Sequence, residues 1–180
     1  MAPRLTAAAR LPLSGDRLTD LRLQVLRLKA REHRRLVSDC ALLGRHIAQV
    51  LELMGTHLTA LGGLGTRGAA EVLVEVGDPR RFRSADAFAS YTGTAPLPAS
   101  SAESRAHPVQ HRLSRFGNRR LNAVLYSMAV TRIRSDPATQ AYVGRLLAAG
   151  KTKRDALRIL KRRLARLVWI TMMRDLASTP

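Results

Sequence analysis

Three groups of residues in this 180-residue chain could do chemistry. The first is Ser100, Ser101 and Ser104, flanked by His107 and His111. A serine hydroxyl attacks an ester only when a base, a metal or a strongly polarised environment activates it. Spacing alone gives these serines no such partner. His107-Pro-Val-Gln-His111 also lacks the carboxylate or thiolate companions of a metal site. The second group is Arg112, Arg115, Arg119 and Arg120, which lead into a helix start through Phe116-Gly117-Asn118 with no acid between Arg105 and Arg134. Guanidinium groups at that density suit phosphate oxygens, and a solvated charged face is the plainer alternative. The third is Gly63-Leu64-Gly65 with Arg67 alongside, set between two apolar helical segments in the manner of a helix-hairpin-helix. Glycines there let backbone approach a phosphate, and the second helix offers free N–H groups. Such contacts position DNA without reading its sequence. An ordinary glycine-rich turn has the same spelling. A further basic group, Lys151, Lys153 and Arg154, opens the last helical pattern and suits DNA, RNA or water equally.

The elements that must position these groups are helical. Residues 1–15 read as a flexible lead-in. Across 16–57, Leu18, Leu21, Val25 and Leu28, then Leu36, Leu43, Ile47, Val50, Leu51 and Met54, recur at three and four. This predicts one long helix or an antiparallel helical pair, serving self-association (a coiled coil) or packing as an arm on its own domain. Cys40 inside the pattern reads as an inert core thiol. After the glycine turn, a helix with Thr66 as N-cap and Gly77 as its stop is expected. A turn at Asp78–Phe82 and a short helix capped by Ser84 and reaching Tyr91 follow. Residues 92–111 hold three prolines and no helical period, a long Pro/Ser loop of the kind that is usually functional. Three helices close the chain. The first opens at Gly117-Asn118, and the second at Asp136-Pro137. The third opens at Thr152 with Asp155 in a capping-box-like arrangement and runs to about Leu176. Its apolar stripe is Leu157, Leu160, Leu164, Leu167 and Thr171, with Arg154, Arg158, Lys161, Arg162 and Arg166 largely away from it. The fold class is all-α: a helical arm over 16–57, then a compact helical domain over 58–176.

Charge narrows the partner. The chain has 31 Lys+Arg against 13 Asp+Glu, and residues 105–180 alone hold +14 of the net +18. Such an excess costs self-repulsion in the folded state, and polyanions are its natural counter-surface. No apolar run approaches the roughly 20 residues that span a bilayer, and no stretch of signal-peptide type opens the sequence. One cysteine excludes both a disulfide framework and a four-cysteine zinc site. The expected setting is a reducing bacterial cytoplasm, with nucleoid association when bound, and no membrane.

Several stretches then resemble one family. Val74 through Pro96, the pair Ser100-Ser101, His111-Arg-Leu-Ser-Arg-Phe-Gly-Asn-Arg-Arg-Leu-Asn122 and Gly150-Lys-Thr-Lys-Arg-Asp-Ala-Leu157 are similar, in order and spacing, to the transposase domain of the IS116/IS110/IS902 insertion sequences. The resemblance spans residues 58–175. It implies DNA binding, transposition and recombination, with Ser101, or Ser100 in a register shifted by one, as nucleophile on a DNA phosphodiester. It also implies a RuvC-like acidic domain that binds Mg2+, a structured guide RNA, and a homo-oligomer or full-length transposase as partner. Two departures stand out. Ala102 follows the paired serines where the family usually has glycine, and residues 1–60 lack the alternating strands of a RuvC-like fold. The expectation is therefore a truncated transposase with no cofactor or metal site of its own, inactive alone. A non-catalytic helix-hairpin-helix nucleic-acid-binding module is the alternative.

Overall fold

A computed structural model describes residues 15–98, 111–113 and 117–178. The chain divides into two compact units, Met1–Ala48 and Gln49–Pro180. Helix α1, Arg17–Leu53, is continuous, so the 16–57 pattern forms one long helix rather than a helical pair. Asp16 starts it, accepting from the Thr19 amide at 2.9 Å. Cys40 is exposed, not a core thiol, because the apolar residues around it are exposed too, Leu36 at 55% and Leu43 at 58%. The lead-in over 1–14 lies outside the described residues.

The second unit is a helical bundle built on the last helix. A 3-10 turn, His57–Ala60, leads to α2, Gly65–Val76. A second 3-10 turn, Pro79–Arg81, leads to α3, Ala85–Tyr91. Helices α4 (Arg119–Ser135), α5 (Pro137–Ala148) and α6 (Lys153–Ser178) follow. Both α3 and α4 pack on α6, α2 packs on α4, and α5 packs against α4 and α6. On α4 the buried positions Leu121, Val124, Leu125, Met128 and Ala129 repeat at three and four, which places one apolar face toward α2 and α6. Phe88, Leu58, Leu121, Leu125 and Met128 are the largest fully buried side chains, and each large apolar group contributes roughly 1.5–3 kcal/mol by leaving water.

Local signals set the helix ends. Ser84 accepts from the Ala87 amide at 3.2 Å, and Asp136 caps α5 through the Ala138 amide at 3.2 Å with Pro137 behind it. Thr152 accepts from the Asp155 amide at 3.1 Å. Gly77 ends α2, its N–H reaching the Leu73 carbonyl. Thr66 is not the cap of α2. The Leu64 amide already bonds the Leu61 carbonyl at 3.1 Å, so the turn runs straight into a helix starting at Gly65 and leaves Thr66 inside its first turn. Two short strands, β1 (Pro96–Pro98) and β2 (His111–Leu113), pair antiparallel with Leu97 opposite Arg112. The fold remains all-α, with the flanks of the expected loop drawn together as a ribbon.

The last helix departs from the expected stripe: Leu157 and Leu167 are only half-buried, and Lys161 turns inward. Its buried face is Ala156, Leu160, Lys161, Leu164, Ala165, Val168, Thr171 and Met172, so Lys161 faces inward at 5% exposure. Periodicity groups Lys161 with Arg154, Arg158, Arg162 and Arg166, away from the apolar stripe. What turns it inward is a partner on α4.

Candidate nucleic-acid interface

That partner is Asn122. Lys161 Nζ donates to Asn122 Oδ1 at 2.9 Å, and Asn122 Nδ2 donates to the carbonyls of Thr92 (2.9 Å) and Gly93 (3.2 Å). Thr92 and Thr94 are buried, with their hydroxyls 3.0 Å apart and both within hydrogen-bonding reach of the Ala89 carbonyl. On the other side of the ribbon, a Cβ at Gly117 would stand 2.8 Å from the Gly93 backbone, so only glycine permits this approach. The next residue closes the junction: the Asn118 amide donates to the Tyr91 carbonyl at 2.8 Å. The two chain segments leading into and out of 99–110 are thereby locked side by side.

Asn118 also begins α4, its Oδ1 accepting from the amides of Arg120 and Leu121 at 3.0 Å each. Its Nδ2 donates to Glu75 Oε2 at 2.6 Å, and Arg120 donates to Glu75 Oε1 at 2.9 Å. Hydrogen bonds from Asn118 and then Arg120 hold the Glu75 carboxyl below its ordinary pKa. Lys161 is pushed down by burial and by the nearby Arg158 charge.

The expected site residues fall in different places. Ser100, Ser101, Ser104 and His107, with Arg115, lie outside the described residues. Arg112 belongs to β2. Arg119 is exposed at the start of α4, whereas Arg120 is partly neutralised by Glu75. Lys151, Lys153 and Arg154 are exposed around the start of α6. Gly63 serves packing: with φ +84°, a Cβ there would meet the Met128 carbonyl at 2.8 Å and Arg132 Cγ at 3.1 Å. Gly65, by contrast, faces open space, Arg67 is exposed, and α2 has no side-chain cap. Met128 lies nine residues beyond Arg119 on α4, about 13 Å at the helical rise. The glycine turn and the Arg119-Arg120 pair therefore meet α4 at different levels.

Sequence reasoning missed Glu75, Arg81, Tyr91, Asn122 and Lys161. Asn118 and Asn122, four residues apart across one helical turn, were the available signal for two side chains on one face. Among the described residues no three of His, Cys, Asp and Glu gather where they could hold a metal ion. Among the same residues no helix is long and apolar enough to cross a membrane.

Comparison with known proteins follows the same segments. Residues 55–144 match the Transposase IS116/IS110/IS902 family. An insertion element IS110 43.6 kDa protein of Streptomyces coelicolor is 39% identical over 134 residues, 71% of this chain and 32% of its own. An insertion element IS900 42 kDa protein of Mycobacterium paratuberculosis is 34% identical over 66% of this chain and 29% of its own. A pilin gene-inverting protein of Moraxella lacunata is 32% identical over 63% of this chain and 35% of its own. The chain thus spans about a third of the length of these relatives. With half its residues inside the matched domain, and Gly93, Gly117, Asn118 and Asn122 within that match, this chain belongs to the IS116/IS110/IS902 transposase family.

Proposed function

We propose that this chain binds DNA and acts in DNA transposition or recombination. The observation that carries this reading is the locked root of the 96–113 segment, whose Gly93, Gly117, Asn118 and Asn122 lie inside the family domain. Gly93 against Gly117, with Asn118 and Asn122 holding the carbonyls around them and Lys161 holding Asn122, would present the intervening residues to a DNA strand as a rigid mount. The relatives named for insertion elements and for gene inversion support rearrangement of DNA as the activity class.

In this reading Ser101, with Ser100 as the neighbouring alternative, is the nucleophile. Its Oγ–P bond forms as one P–O bond to a sugar breaks. The serine proton passes to a base, and the departing sugar oxygen gains a proton, so the phosphodiester is conserved as an enzyme-bound ester. No step is assigned to a metal within this chain. A RuvC-like acidic domain on a full-length transposase, a second copy of this chain and a structured guide RNA are the proposed partners.

The test mixes the chain with element-end DNA in which one phosphodiester is labelled, with and without a full-length relative. A covalent protein–DNA product that disappears in Ser101→Ala is expected. Absence of any adduct under both conditions contradicts the nucleophile assignment.

The exposed, uncapped start of α2 at Gly65 and Arg67 favours a second reading, a non-catalytic module that grips phosphates through backbone amides. It predicts DNA binding indifferent to Ser101→Ala and no adduct.

A further inference from the structure

Arg81 ends the Pro79–Arg81 turn with its side chain exposed, and its guanidinium carbon lies 4.6 Å from the ring centroid of Phe82 and 4.6 Å from that of Tyr91. Those rings stand 5.0 Å apart at 47°, and Phe82 is met edge-on at 5.2 Å by Phe88, which is fully buried. The aromatic pair is therefore anchored to the core. Tyr91 is fixed at its other end as well, its hydroxyl donating to the Glu75 carbonyl at 3.2 Å and accepting from Asn118 Nδ2 at 3.4 Å. The hydrogen bond from Asn118, joined by one from Arg81, lowers the Tyr91 hydroxyl from its ordinary pKa.

Three arginines nearby are already engaged by carboxylates. Arg80 grips Asp78 at 2.9 Å, Arg120 grips Glu75 at 2.9 Å and Arg162 grips Asp86 at 2.8 Å. Among the described residues no carboxylate pairs with Arg81. A guanidinium laid against aromatic rings keeps its in-plane N–H donors, is weakly hydrated to begin with, and has already given up much of its rotamer freedom. Those are the properties that favour bidentate capture of a phosphate. Its location adds to this. Tyr91 carries the stack on its ring and, through its carbonyl, the Asn118 bond that closes the ribbon root two residues before Gly93.

We propose that Arg81, held against the rings of Phe82 and Tyr91, is a phosphate-binding site that takes one phosphodiester of a nucleic-acid strand at the root of the 96–113 segment. The proposal rests on the nucleic-acid reading above and narrows it from a charged surface to one preorganised group. The shared chemistry is the phosphodiester; DNA and RNA are separated by the arms of the test.

Fluorescence anisotropy of the full chain with a labelled DNA duplex, and in parallel an RNA hairpin, is measured over a series of salt concentrations. Arg81→Gln weakens binding about ten-fold irrespective of base sequence and lowers the slope of log K against log salt by about one. Arg81→Lys restores the slope but not the affinity, because an ammonium on a flexible stem is not held by the rings. Phe82→Leu keeps the slope and loses affinity several-fold. Loss in the DNA arm assigns the strand as DNA, and loss confined to the RNA arm assigns it as RNA. Wild-type affinity and slope in Arg81→Gln, or Arg81→Lys indistinguishable from wild type, overturns the site. A wild-type chain that binds neither nucleic acid overturns the broader reading instead.

Discussion

Lys161 on α6 and Asn122 on α4 meet through a 2.9 Å hydrogen bond, and Asn122 passes the connection to the carbonyls of Thr92 and Gly93. One buried ammonium is thus tied to the backbone that begins the ribbon. Asn122→Ala removes the acceptor for Lys161 and both amide donors together. Leaving those buried groups unpaired costs about 1–3 kcal/mol. Urea denaturation is expected to show a lower midpoint at unchanged slope, and a midpoint equal to wild type would refute the connection.

Gly63 and Gly65 separate packing from ligand contact. Gly63→Ala places a Cβ 2.8 Å from the Met128 carbonyl at φ +84°, and the combined overpacking and left-handed strain cost about 2–4 kcal/mol. Gly65→Ala meets open space and bears only the conformational cost at φ +65°, about 1–2 kcal/mol. Thermal melting ranks the two. If the start of α2 holds phosphate, Gly65→Ala also weakens DNA binding; equal melting of both variants contradicts the packing assignment.

Asp136 has its pKa lowered to about 2, first by Thr139 and then by Arg132. Because the folded pKa lies below that of the unfolded chain, the stabilisation is complete above about pH 4 and drains away as pH falls through about 2. Asp136→Asn keeps a competent N-cap while removing the charge. Its stability below pH 4 therefore falls less steeply than wild type in an acid titration followed by circular dichroism. Parallel curves would contradict the assignment.

Helix α1 exposes Leu36 (55%), Leu43 (58%) and Val50 (54%), spaced by seven, the interval of a coiled-coil seam. On the proposed self-association, Leu36→Glu with Leu43→Glu converts an oligomer to a monomer in sedimentation equilibrium without altering helix content. An unchanged mass rules this seam out.

Much of this architecture was legible in the sequence. Ser84, Asn118, Asp136 and Thr152 sit where helix starts were expected, because capping acts over three or four residues of chain. Long-range relationships were not legible. Nothing local turns Lys161 inward, since its partner is 39 residues away on α4. Gly63 spells a phosphate turn, yet its missing side chain answers to the Met128 carbonyl. Arg81 reads as one more cation beside Arg80, and only the folded positions of Phe82 and Tyr91 distinguish it. The continuity of α1 was an open alternative because an apolar period does not say whether a helix turns back.

On the proposed function, DNA phosphates bind across the cationic surface of Gln49–Pro180, and DNA affinity must then fall with salt. Anisotropy titrations of the wild-type chain between about 50 and 200 mM salt are predicted to give a linear log–log plot of slope about −4 or steeper. Neutralising Arg81, Arg119 and Arg154 together should flatten it by about three, at about 0.9 for each phosphate lost. A slope near zero, or the same slope in wild type and triple variant, would show that phosphates do not bind there.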